Sequence, residues 1–444
     1  MEVSFLQVSI FLIIGIAVII FLTAKYHVHP FFALMIACIV VGLGVELRVP
    51  EIIGIMKDGF GNVMKSLGFI IVLGTALGII LEHTGSTRVI ANYILSRTGE
   101  RHAPLAMSIT GFVVGLPIFC DSGYIVLSGV NQSLARRAGV SMIIMATSLA
   151  TGLYSVHCLI PPHPGAAAAA SLLGVDYGKL IMIGIIVAIP ATTVGYLWAR
   201  YIGKKIPESN VENDIVDKQE TNEYPSIVKS LLPVIVPILL IALKSFLVKD
   251  EIDYGYWMSA LFSLGDPVIA LAIGVLLAMN CKKGWTRKSL SKLLMESAEK
   301  AGGILVIIGA GGAFGAILAA TKIGQHFSES LSLGSLGILF PFLLTAILKT
   351  AQGSSTVAII TSSSIVLPLL PALELANGNG PLLAVLSMGA GSMLISHAND
   401  AYFWVIAKFS GLEMKPMLKA YSIATIFMGL ISILIIYLLT FFLL

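Results

Sequence analysis

Charge is what this sequence has least of. Only 12% of its 444 residues are Asp, Glu, Lys or Arg, about half the roughly 25% usual in soluble domains. So light a load cannot cover a water-soluble protein of this size, which excludes a soluble enzyme, a nucleic-acid-binding protein and a disordered chain. Cysteine is scarce as well. Cys38, Cys120, Cys158 and Cys281 lie far apart with no CxxC spacing, which argues against a disulfide framework or a zinc site. No HExxH or His/Cys ligand spacing is present, so neither a metal nor a cofactor is expected. Long polar stretches are equally rare. The clear one is 203–225, GKKIPESNVENDIVDKQETNEYP, which reads as a solvated linker between two halves.

What is abundant is apolar. The chain is 57% hydrophobic with 43 glycines and 18 prolines, and its mean hydropathy is +0.94. Gly and Pro are commoner in membrane helices than in soluble ones. Spans need about 20 mainly apolar residues, and candidates lie near 5–24, 30–45, 67–83, 179–200, 226–248, 266–281, 301–321 and 418–442. The first lacks a basic flank and a small-residue cleavage site, so it reads as a retained helix rather than a signal peptide. Four further apolar stretches, 103–135, 141–173, 336–371 and 381–407, are interrupted by Gly, Pro and polar residues. The segments 50–66 and 285–300 are too polar to span and read as amphipathic interfacial helices.

The two halves resemble each other. GTALGIIL at 74–81 matches GGAFGAIL at 311–318 at five of eight positions, with an offset of 237. The same offset carries Gly174-Val175-Asp176 onto Gly411-Leu412-Glu413, and the order of elements repeats. If the first broken stretch of each half is a re-entrant hairpin and the second a discontinuous crossing helix, each half crosses five times. The second half is then inverted, as in many secondary transporters. The fold expected is an all-α membrane protein built from two inverted-topology repeats. The first is 1–202, with a hairpin tip near 119–123 and a helix break near 161–165. The second is 226–444, with a tip near 351–355 and a break near 396–400.

The scarce cations test this topology. One side receives Lys25, the cations of 88–101, Arg136 and Arg137, those of 200–229 and 282–300, and Lys408, Lys415 and Lys419. That is twenty of the 28 Lys and Arg, against seven on the other side, with Lys349 left inside the membrane. The positive-inside rule makes the first side cytoplasmic. The expectation is a multi-pass inner-membrane protein with both termini on the periplasmic or exterior side and the 203–225 linker in the cytoplasm.

Chemistry concentrates at the four interruptions. Non-helical backbone at membrane depth survives only where protein or water satisfies it, and the N-terminus of a half-helix suits an anion. Ser354, Ser355 and Thr356 would begin and cap the returning arm of the second hairpin, and Ser122 and Gly123 that of the first. Gly353 and Gly123 would let a ligand approach the backbone. Asp121 and Asp400 are the acids placed deepest in the membrane, so each must be paired, hydrated or protonated. They are candidate proton carriers, with His163 and His397 as alternatives. Lys349 needs Asp121, Asp400 or an anionic substrate as its partner. His157, Ser155, Asn131 and Thr361 read as ordinary helix–helix contacts, and the run Ala166–Ala170 as close helix packing.

At these positions the sequence resembles the gluconate:proton symporter (gluconate permease, GntP) family. The segments that carry the resemblance are VHCLIPPHPGAAAAASLLGVD (156–176), LKTAQGSSTVAIITSSS (348–364), GAGSMLISHANDAYFWVIAKFSGL (389–412) and GLPIFCDSGYIVL (115–127) followed by LARRAGVS. It runs from about residue 50 to the C-terminus. It implies an ion-transporter-superfamily fold, often a homodimer, and proton-coupled uptake of a small anionic substrate such as gluconate or another sugar acid. Some relatives carry D-serine or glycerate. The site it implies comprises Asp121, His163, Gln352, Gly353, Ser354, Thr356, His397, Asn399 and Asp400. Cys120 and Ser122 stand where the family often has an aromatic and an apolar residue, and Lys349 where many members have arginine, which removes a bidentate carboxylate clamp. Asn399, Gln352 and Ser122 are expected to meet substrate hydroxyls, and the Ser354–Thr356 helix start its carboxylate. A sodium-coupled carrier of the same architecture is the principal rival. An anion channel lacks a repeated ring of pore charges, and an intramembrane enzyme lacks a nucleophile-elbow or zincin motif.

Overall fold

The computed structural model describes residues 5–206, 224–248, 254–282, 284–322, 334 and 336–444, and their regular structure is entirely helical. The expected linker lies, apart from its ends, outside the described residues. In chain order the helices are α1 (Phe5–Ile20), α2 (Pro30–Gly44), α3 (Val49–His83), α4 (Ser86–Thr98), α5 (Ala103–Gly115), α6 (Cys120–Ala138), α7 (Met142–Leu159), α8 (Pro164–Leu172) and α9 (Tyr177–Gly203). After the linker come α10 (Ile227–Leu247), α11 (Gly255–Ser263), α12 (Pro267–Met279), α13 (Arg287–Ala320), α14 (Leu339–Gln352), α15 (Ser355–Val366), α16 (Gly380–Met393) and α17 (Ala401–Ser410). The last, α18 (Met414–Leu443), includes a π-helical turn at Leu418–Ser422. Among the described residues, seven helical segments, counting α7 with α8 as one, are long and apolar enough to cross a membrane.

Local chemistry fixes where these helices start and stop. Asp176 caps α9 by accepting from the Lys179 N–H at 2.8 Å, and Asp266 caps α12 by accepting from Val268 at 2.9 Å. Pro267 occupies the first position of α12, where its missing N–H leaves no helical bond unmade. The outer surface carries exposed Ile13, Phe69, Ile189, Leu243 and Phe442. In a chain of this composition that apolar belt faces lipid rather than water.

One expectation is corrected. The segments 50–66 and 285–300 are not separate interfacial helices. Residues 50–66 and 287–300 belong to the first halves of α3 and α13, which run unbroken for 35 and 34 residues and pack against each other. The first segment is indeed two-faced: Ile52, Gly59 and Val63 are buried while Lys57, Asp58, Asn62 and Lys65 are exposed. Its buried face meets α13, and at Ile52 also α2, rather than a membrane surface. Glycine makes this possible, since a Cβ on Gly59 would lie 2.6 Å from the Gly312 carbonyl oxygen.

Element starts recur at a fixed spacing. Pro30 and Pro267, Pro164 and Ala401, and Tyr177 and Met414 each begin a helix, and the members of each pair stand 237 residues apart in the chain. The interrupted stretches pack crosswise. Half-helix α8 lies against α15, and α17 lies against α6. Tyr124 and Gln132 of α6 hold the end of α17, through Ser410 Oγ at 2.5 Å and the Phe409 carbonyl at 2.6 Å.

Candidate functional site

Each stretch expected to break does break. α5 ends at Gly115 and α6 begins at Cys120. α7 ends at Leu159, before the Pro161-Pro162 pair, and α8 begins at Pro164. Gly353, in the left-handed conformation at φ 78°, separates α14 from α15, and residues 394–400 separate α16 from α17. The starts of α6, α8, α15 and α17 all border one cavity of about 620 Å3. A helix N-terminus presents unpaired N–H groups and a partial positive charge, so four of them around one space favour an anion.

The caps differ in a useful way. Ser354 caps α15 by accepting from Val357 N–H at 3.3 Å, which leaves the N–H groups of Ser355 and Thr356 outside the helical ladder. Asp400 caps α17 by accepting from Tyr402 N–H at 3.0 Å. The N-cap of α6 is Phe119, which makes no side-chain cap. Ser122 and Gly123, expected to begin this returning arm, lie within the first turn of α6.

The cavity gathers most of the residues singled out from the sequence: Asp121, Ser122, Gln352, Gly353, Ser354, Ser355, Thr356, Asn399 and Asp400 all line it. Asp121 is exposed, the Cys120 thiol reaches it at 3.8 Å, and no cation lies within ion-pair distance of it among the described residues. Asp400 is the opposite case. It is buried and accepts from Lys349 Nζ at 2.6 Å and from Ser396 Oγ, in addition to its cap. Lys349 sits wholly buried behind the wall and also donates to the Gly353 carbonyl at 2.8 Å. The side-chain amide of Gln352 is buried, and neither its nitrogen nor its oxygen has a protein partner.

Three candidates stand elsewhere. His163 caps nothing. It is buried, its Nε2 lies 2.6 Å from the Gly115 carbonyl, and it ties the start of α8 to the end of α5. His397 lies in the 394–400 break and accepts from Asn399 N–H at 3.4 Å, away from the cavity lining. Gly123 packs against Leu153, whose Cδ2 would meet an added Cβ at 2.8 Å. At Gly353 the group that approaches the backbone is the Asn399 carbonyl, which an added Cβ would overlap. Both glycines thus serve contacts within the protein.

The structure adds residues to the wall that the sequence presents as packing or does not single out. His157 and Tyr154 of α7 and Tyr402 of α17 line the cavity, as do Lys300, Ile304 and Ile307 of α13. His157 was legible in principle: it lies six residues before His163 on the same interrupted helix, one turn short of the break. Lys300 was not, because its segment read as a surface helix.

Comparison with known proteins follows the same lines. The family model described as GntP family permease matches residues 7–442. A gluconate permease of Pseudomonas aeruginosa is 34% identical, over 96% of this chain and 96% of its own. A D-serine transporter, DsdX, of Escherichia coli O6:H1 is 30% identical, over 95% and 96% respectively. Two solved structures share the fold at low identity. The Alcanivorax borkumensis YdaH transporter aligns over 89% of this chain and 90% of its own, with a TM-score of 0.62 and 15% identity. Neisseria gonorrhoeae MtrF, of a class of antimetabolite efflux pumps, aligns over 87% and 84%, with a TM-score of 0.64 and 16% identity.

Proposed function

This chain belongs to the GntP permease family, and on that premise we propose that it imports a small hydroxy-monocarboxylate, gluconate or a related sugar acid, by proton symport across the inner membrane. One observation carries the reading. Four half-helix starts border one cavity, and its two acids differ, Asp400 being paired with Lys349 and Asp121 having no cation. A substrate carboxylate is received by the free N–H groups at Ser355 and Thr356. Asp121, ionised beside that anion, would repel it. Protonated, it removes the repulsion and offers a donor. Binding of the anion and of a proton at Asp121 therefore favour each other, which is the coupling a symporter needs. Asp400 already has its charge compensated and acts as the latch that holds the helix break.

The repeat organisation, 1–202 and 226–444 about the linker, belongs to the same proposal and is supported by the 237-residue recurrence of helix starts. With the side richer in Lys and Arg taken as cytoplasmic, Lys300 marks the cytoplasmic end of the cavity. Alternating access then moves the hairpins and half-helices against the long α3–α13 pair.

A second reading, D-serine uptake, is favoured by the DsdX relative. The substrate ammonium would take the place of the proton at Asp121. Proteoliposomes decide between these. A pH gradient imposed without sodium should drive concentrative uptake of labelled gluconate, with competition by sugar acids exceeding that by D-serine. Uptake that requires a sodium gradient would replace the proton by sodium. Preference for D-serine would replace the substrate.

A further inference from the structure

Two side chains in the cavity wall carry polar atoms that the protein leaves unpaired. Gln352 has neither amide atom bonded. His157 is 9% exposed, its Nδ1 has no partner, and its Nε2 reaches only Thr356 Oγ1 at 3.4 Å, long for a hydrogen bond. The imidazole is held in place rather than loose. It stacks on Tyr154 with centroids 6.4 Å apart and 14° between planes, and it meets the Phe119 ring edge-on at 6.5 Å. The neighbouring His163, 4.8 Å away ring to ring, has its hydrogen bond to Gly115 and is accounted for by the fold. Buried polar groups are normally paired, so two unpaired ones in one wall mark where a ligand completes them.

From this geometry we infer that His157 is a specificity-determining residue which, together with Gln352, selects a substrate whose tail carries hydroxyl groups rather than a second carboxylate. The inference rests on the monocarboxylate reading of the same cavity. Its chemical basis is the donor–acceptor character of the two side chains. A primary amide offers two donors and an acceptor, and a neutral imidazole offers one of each. A hydroxyl both donates and accepts and rotates to suit, so it satisfies either group. A carboxylate only accepts, and it would leave the Gln352 oxygen and the imidazole lone pair unpaired. An ammonium only donates and would leave the amide nitrogen unpaired. The Thr356 hydroxyl at the rim of the imidazole is at once a neighbour of the proposed carboxylate site and a partner of His157. It therefore sets the two recognition elements side by side, one for the head and one for the tail.

The test uses the full-length protein in proteoliposomes, with apparent affinities for gluconate, glycerate and hexanoate measured by competition. His157→Phe keeps the ring packing and removes both nitrogens. The preference for gluconate over glycerate should fall by about tenfold or more, the loss of roughly one good hydrogen bond, while the affinity for hexanoate is unchanged or improved. His157→Gln should restore most of the preference. An unchanged gluconate-to-glycerate ratio in a folded, transporting His157→Phe protein overturns the inference. If that variant does not fold, Gln352→Met carries the same comparison, and an unchanged ratio there overturns the inference equally. Failure of the underlying reading looks different, because the unmodified protein would then transport none of the hydroxy acids.

Discussion

Lys349 and Asp400 form an ion pair buried on both sides, Nζ to Oδ2 at 2.6 Å, with side chains 0% and 8% exposed. The pair spans two interruptions. Lys349 ends the incoming arm of the second hairpin and also holds the Gly353 carbonyl. Asp400 caps the half-helix after the second break. The tip and the break are thereby fixed to each other before any substrate arrives.

Removing one partner should be far worse than removing both. Lys349→Met leaves a buried carboxylate with no cation, and loss of one member of such a pair costs about 3–5 kcal/mol. Lys349→Met combined with Asp400→Asn leaves a neutral cap in place and should recover a large part of that loss. Thermal melting of the purified variants gives the comparison. A Lys349→Met protein that melts like the unmodified one would show that the pair does not fasten the tip to the break.

Asp121→Asn separates coupling from binding. With a permanently neutral side chain, substrate should still bind and exchange across the membrane. Concentrative uptake driven by a pH gradient should fall by at least about tenfold, since the proton no longer has a site whose occupancy tracks the anion's. Counterflow and gradient-driven uptake in the same proteoliposomes check this. Equal loss of both would make Asp121 a binding residue only.

Gly353→Ala tests the tip itself. The residue sits at φ 78°, where an L side chain costs about 1–2 kcal/mol, and the new Cβ would also overlap the Asn399 carbonyl. Both effects act on the native arrangement of the tip, so the melting temperature should drop and substrate affinity should weaken together. An unaltered affinity would mean that the tip geometry does not shape the cavity.

Sequence alone showed the four interruptions because Gly, Pro and charge seldom cluster inside an apolar stretch unless the helix breaks there. The PPHPG and SHAND segments fall at real breaks for that reason. What it could not show was which acid is paired. Asp121 and Asp400 look alike in sequence, and only the approach of Lys349, 51 residues away along the chain, distinguishes them. The place of His157 one turn short of a break is visible in the sequence, but its unpaired nitrogen has no signature there, so the residue reads as packing. The first half of α3 was misplaced for a different reason. An amphipathic pattern reports that one face is buried, and it does not say whether lipid or another helix covers it.

That last ambiguity yields a prediction with opposite signs on one helix. Gly54, Gly59 and Gly61 lie within three turns of α3. An added Cβ would meet nothing within 4 Å at Gly54 or Gly61, whereas at Gly59 it would fall 2.6 Å from the Gly312 carbonyl and 2.7 Å from the Ala316 Cβ. At an open helical position, Gly→Ala stabilises by roughly 0.5–1 kcal/mol through reduced backbone freedom in the unfolded chain. At a tight crossing, overpacking destabilises by about 1–3 kcal/mol. Gly54→Ala and Gly61→Ala should therefore raise the melting temperature, and Gly59→Ala should lower it. A helix lying alone on the membrane surface would respond alike at all three positions. The sign at Gly59 thus decides whether the first half of α3 is packed against α13 or lies free of it.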